Sequence, residues 1–95
     1  MPKGYVIARA EVTDTAKWAV YAAKAGEAMK IYRGTPIVRG GRSEVTEGEG
    51  RQRNIVIAFD SFEAAQNYAH SPEYAEARKL RQGAGTIDIV IVEGT

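Results

Sequence analysis

Three stretches of this chain, residues 5–12, 53–59 and 86–93, alternate like β-strands, and none of them has a consistently polar side. In the first, Val6, Ala8, Ala10 and Val12 fall on one face and Tyr5, Ile7, Arg9 and Glu11 on the other. A sheet made of such strands needs cover on both faces, because apolar surface left in water forfeits roughly 25 cal/mol per Å². Helices encoded between the strands can cover only one face, so the other calls for a second copy of the chain.

The helices are legible from their caps. Thr13 and Asp14 precede Trp18, Tyr21, Ala22, Ala25, Met29 and Tyr32, which recur at three- and four-residue spacing, and Gly34 is the expected stop. Asp60-Ser61-Phe62-Glu63 resembles a capping box for a short helix reaching about Ala69. Ser71-Pro72-Glu73 then starts another, with Ser71 as cap and Pro72 in the first turn, and Arg78, Lys79 and Arg81 favour its C-terminal end. Between the first helix and residue 53 the spacing predicts a strand at Ile37-Val38-Arg39, a bend at Gly40-Gly41, continuation through residues 43–46 and a hairpin turn at Gly48-Glu49-Gly50.

The order strand, helix, strand, strand, helix pair, strand predicts a single ferredoxin-like domain over residues 1–95. It is an α+β fold of βαββαβ type, with a four-stranded antiparallel sheet, helices on one face, and pairing into a dimeric α+β barrel through the other.

Composition removes several classes of function. Thirteen Lys and Arg against twelve Asp and Glu give a net charge of +1, so nucleic acid and membrane surfaces are not expected partners. With no Cys, thiolate metal sites and cysteine nucleophiles are excluded. No apolar run approaches the roughly 18 residues of a membrane span, and Met1-Pro2-Lys3-Gly4 does not read as a leader, so a cytoplasmic protein is expected.

Several strings, taken in order, resemble one family. Gly4-Tyr5-Val6-Ile7-Ala8-Arg9, Arg39-Gly40-Gly41, Glu47-Gly48, Ile55-Val56-Ile57-Ala58-Phe59, Ser71-Pro72-Glu73-Tyr74 and Ile89-Val90-Ile91-Val92-Glu93-Gly94 look like domain-of-unknown-function family 1330 across nearly the whole chain. The resemblance implies the dimeric α+β barrel shared by muconolactone isomerases, stress-responsive barrel proteins and cofactor-free monooxygenases, without an established reaction. Members often carry Glu where this chain has Ala58, and a His-Gly-Gly turn where it has Tyr32-Arg33-Gly34. If that acid or imidazole serves a shared chemistry, this chain lacks it.

The candidate ligand-cleft residues are Tyr5, Arg9, Tyr21, Arg39, Tyr68, His70 and Tyr74. Arg9 and Arg39 read either as clamps for an anion or carbonyl or as members of salt bridges. The tyrosines read as hydroxyl donors around a cavity or as core with the oxygen satisfied at the edge. His70 reads as a base or haem ligand or as a helix-end cation, and no second ligand is spaced around it. No metal and no cofactor is expected, since the acids are scattered over caps, turns and helix faces. Two functions follow from these readings. One is a cofactor-independent enzyme or binder of a small molecule, of monooxygenase or isomerase type; the other is a non-catalytic homodimeric module. Its expected partners are a second copy of itself and a small-molecule ligand.

Overall fold

The computed structural model describes residues 2–95. Strand β1 (Gly4–Val12) is followed by α1 (Thr15–Ile31), β2 (Thr35–Arg39), β3 (Arg53–Phe59), α2 (Phe62–Ala69), α3 (Pro72–Lys79) and β4 (Gly85–Glu93). The sheet order is β2-β3-β1-β4, antiparallel throughout, so the two longest strands, β1 and β4, pair along their whole length from Gly4↔Glu93 to Val12↔Gly85. This is the ferredoxin-like arrangement. No helix among the described residues is long and apolar enough to cross a membrane.

Local chemistry sets the helix ends. Asp14 caps α1, its carboxylate accepting from the Lys17 N–H at 3.0 Å, and Ser61 caps α2 by accepting from Ala64 N–H at 3.0 Å. Ser71 does more than cap α3: its Oγ accepts from Tyr74 N–H at 3.0 Å and donates to the Tyr68 carbonyl at 2.7 Å, joining two helices through one buried hydroxyl. At the other end of α1, Tyr32 donates to Glu73 Oε1 at 2.8 Å, tying the end of that helix to the first turn of α3.

Three local expectations need correction. The first helix is stopped by Arg33, which takes the left-handed φ of 62°, while the N–H of Gly34 bonds the Met29 carbonyl at 2.9 Å. Gly34 is required for closeness instead: a Cβ there would sit 2.7 Å from the Phe59 ring and 2.8 Å from Ile57. Next, the strand does not resume at residues 43–46. Gly40, at φ 70°, turns the chain off the sheet after a last bond to the Asn54 carbonyl at 3.0 Å. The chain then returns to β3 without strand pairing, anchored by Arg51, which donates to Thr86 Oγ1 and Asp88 Oδ2, each at 2.9 Å. Finally, the irregularity in β2 falls between Pro36 and Val38 and not at the paired glycines.

The core lies between the sheet and the helices. Val6, Ala10, Ile57 and Phe59 rise from the sheet to meet Trp18, Tyr21, Tyr68 and Tyr74. On the opposite face the register places Val38, Val56, Ile7 and Val90 in one row across all four strands, with Ala58, Tyr5 and Val92 beside it. Val90 and Val38 in that row are 52% and 42% exposed.

Candidate functional site

Helix α1 presents Ala22, Ala25 and Gly26 toward the sheet, and side chains this small cannot fill the space between them. A cleft of 390 Å³ results, bounded by α1, by the α2–α3 segment and by the sheet residues Val6, Ala8, Ile55, Ile57, Ile87 and Ile89. Its size lies in the range of small-molecule sites, and its walls are mainly apolar with a few polar groups, as ligand sites usually are.

Aromatic rings form one end. Trp18 and Tyr21 meet edge to face at 5.1 Å, Tyr21 and Tyr74 at 6.3 Å, and Tyr68 lies 5.2 Å from Tyr74 and 5.3 Å from Phe59. Within this chain of rings the hydroxyls of Tyr21 and Tyr74 are 2.8 Å apart and buried. Burial is the main reason the Tyr21 hydroxyl is pushed well above its ordinary value of 10, with Tyr74 adding to the rise and Arg81 opposing it. Tyr68 is raised in the same way, by burial first and by Tyr74 second. These groups therefore remain neutral donors across the physiological range. Arg81 sits over the Tyr21 ring with its guanidinium carbon 5.1 Å from the centroid, and its Nε is buried with no acceptor among the described residues.

The lining also carries two basic side chains. Arg39 and Arg53 both line the cleft, on neighbouring strands and on the helix side of the sheet, since Arg39 pairs with Ile55 and Arg53 shares that residue's face. Both are exposed, and neither belongs to an ion pair among the described residues. The lining contains no Asp, Glu or His. The cleft can therefore donate hydrogen bonds, polarise a carbonyl and offset negative charge, but its lining supplies no general base of ordinary carboxylate or imidazole type.

Of the seven candidate residues, Tyr21, Arg39, Tyr68 and Tyr74 share this cleft, and Tyr5, Arg9 and His70 do not. Tyr5 and Arg9 stand on the opposite face of β1 because strand side chains alternate; Tyr5 pairs with Ala58 and Val92 there. Arg9 makes no salt bridge among the described residues: its Nε donates to Asn54 Oδ1 at 3.4 Å and its Nη2 to the Glu49 carbonyl at 3.5 Å, while Arg51 takes Asp88. His70 is the exposed C-cap of α2, its N–H bonded to the Gln66 carbonyl at 2.9 Å. Arg53, Trp18 and Gly26 also line the cleft, beyond the residues expected from sequence. Arg53 could have been, because it alternates in phase with Ile55, Ile57 and Phe59. No group of three or more His, Asp or Glu among the described residues could hold a metal ion.

With this geometry in place, comparison with known proteins adds the lineage. The chain belongs to the family described as Domain of unknown function (DUF1330), whose model matches residues 3–95. No curated protein matches the sequence. Among solved structures, a protein of unknown function from Rhodopseudomonas palustris superimposes with a TM-score of 0.79 at 17% identity, over 99% of this chain and 83% of that one. A candidate antibiotic biosynthesis monooxygenase from Caulobacter crescentus gives 0.62 at 15% identity, over 99% and 91%. A dimeric protein of unknown function and ferredoxin-like fold from Bacteroides fragilis gives 0.56 at 17% identity, over 96% and 95%. At these identities the likeness shows the fold. The two departures from the family pattern lie outside the cleft lining, Ala58 on the far face of the sheet and Tyr32-Arg33-Gly34 at the end of α1.

Proposed function

We propose that this family member is a small-molecule-binding protein without a resident cofactor, which uses the cleft between α1 and the sheet and associates as a homodimer through the sheet's outer face. The observation that carries the first part is the pairing of a mainly apolar 390 Å³ cleft with the Tyr21–Tyr74 hydroxyl contact within the aromatic cluster at its wall. A core built only for stability would fill that space, since protein interiors pack as densely as organic crystals. Here α1 spends Ala22, Ala25 and Gly26 on keeping it open.

A planar guest with a carbonyl or phenolic oxygen suits the walls, because rings stack on rings and hydroxyls and guanidinium groups donate to oxygen. Monooxygenase- or isomerase-type chemistry on such a guest is the catalytic form of the reading, and a candidate monooxygenase among the similar structures supports it. The second part rests on the cross-strand row Val38, Val56, Ile7 and Val90, which an identical row related by a two-fold axis would cover, and on the dimeric state of the Bacteroides fragilis protein.

The binding half is tested by following the indole N–H of Trp18, the only tryptophan, by NMR while titrating 1-phenylpentan-1-one, an uncharged aryl ketone. A saturable shift of that resonance and of the Ala22 and Ala25 methyls is expected. Shifts confined to the outer-face valines would contradict the assigned cleft.

A further inference from the structure

The cleft's polar groups are of one kind. Tyr21 and Tyr74 each carry one hydroxyl proton, their 2.8 Å contact uses one of the two, and the other has no protein acceptor among the described residues. A buried donor without a partner costs the desolvation of that group, so this proton marks a place that an acceptor oxygen would stabilise. Elsewhere in the lining, Arg39 and Arg53 stand on adjacent strands as diagonal neighbours on one face, like charges with no carboxylate in the lining. A bound anion would complement that arrangement, and planar guanidinium forks match a carboxylate best.

We propose, resting on the reading of the cleft as a binding site, that its ligand is an organic acid with an apolar, planar body and a second, uncharged oxygen. The carboxylate lies against Arg39 and Arg53, and the second oxygen accepts from the Tyr21–Tyr74 pair. Cationic and amine ligands are rejected, because the lining has two guanidinium groups and no carboxylate to receive them. The cleft is thereby selective by charge at the arginines and by hydrogen-bond sense at the tyrosines.

Isothermal titration with four matched compounds tests this: 5-oxo-5-phenylpentanoate, which has both features; its methyl ester; 5-phenylpentanoate, which lacks the ketone; and 1-phenylpentan-1-one, which lacks the acid. The keto acid should bind about tenfold tighter than its ester or the plain ketone, as expected when charge-assisted hydrogen bonds are removed. Arg39→Gln with Arg53→Gln should erase that advantage, bringing the keto acid down to the affinity of its methyl ester. Tyr74→Phe should weaken the keto acid and spare 5-phenylpentanoate, and added salt should weaken only the two acids. Equal affinity for keto acid and plain ketone, unaltered in the double arginine variant, would overturn the acid assignment while the binding site stands. No heat and no Trp18 response with any of the four compounds would overturn the binding reading itself, and this inference with it.

Discussion

The hydroxyl oxygens of Tyr21 and Tyr74, 53 residues apart in sequence, lie 2.8 Å from each other in the buried core. That contact joins α1 to α3, and it sets the polarity of the cleft because it leaves one proton unspent. Ser71 keeps Tyr74 in place from behind, through its bond to the Tyr74 N–H.

Tyr74→Phe strands the Tyr21 hydroxyl in the core and should lower stability by about 1–2 kcal/mol. Replacing both tyrosines by Phe should cost less than the sum of the single changes, because no unpaired hydroxyl remains. Urea denaturation of the four species of this cycle gives the coupling. Strict additivity would show that the two oxygens do not interact.

Ser71→Ala removes both a cap and the bond to the Tyr68 carbonyl, so a loss of about 2 kcal/mol is expected, beyond the roughly 1 kcal/mol of a simple N-cap. A midpoint shift no larger than that of Asp14→Ala, which removes the exposed cap of α1, would show that the second bond contributes nothing.

High pH should unfold the protein through its tyrosines. Tyr21 and Tyr68 are raised above 10 in the folded state, each chiefly by burial, so the stability they contribute is complete below pH 10 and is lost as the pH rises above it. The unfolded chain gives up these protons first. Tyr68→Phe should flatten the alkaline limb of a Tm-against-pH profile between pH 10 and 12, and an unchanged slope would contradict the assignment.

Much of this architecture could be read from residues in order. The caps at Asp14, Ser61 and Ser71 and the alternation in β1, β3 and β4 are local signals, and they were sufficient for element order and fold. The path from Gly40 to Gln52 was not legible, because what holds it is Arg51 reaching Thr86 and Asp88, a contact between distant parts of the chain. For the site, sequence narrows the choice to tyrosines and arginines but does not reliably assign them to a face. Arg9 and Arg53 look alike in sequence; one residue of strand phase puts Arg53 in the cleft and Arg9 on the far side of the sheet. Arg81 looked like a cation for a helix end and instead sits over a ring.

On the outer face, Val90→Lys should separate the two copies without unfolding either. Val90 is 52% exposed in the single chain and pairs with Ile7, so a lysine there is tolerated by the monomer but places like charges against each other across a two-fold axis. Sedimentation equilibrium should give twice 10.3 kDa for the native protein and 10.3 kDa for the variant. A native protein that sediments as the single chain would remove the dimer.

Whether the cleft is kept open in order to hold a ligand is decided at Gly26. This glycine lies inside α1, and a Cβ built there meets nothing within 4 Å, so Gly26→Ala should stabilise the helix by about 0.5–1 kcal/mol, and Gly26→Leu puts a larger side chain at the cleft's lining. The deciding measurement is Trp18 emission during titration with 5-oxo-5-phenylpentanoate in the native protein and in folded Gly26→Leu. A saturable change is expected in the native protein and none in the variant; the same saturable change in both would show that the cleft does not hold the ligand.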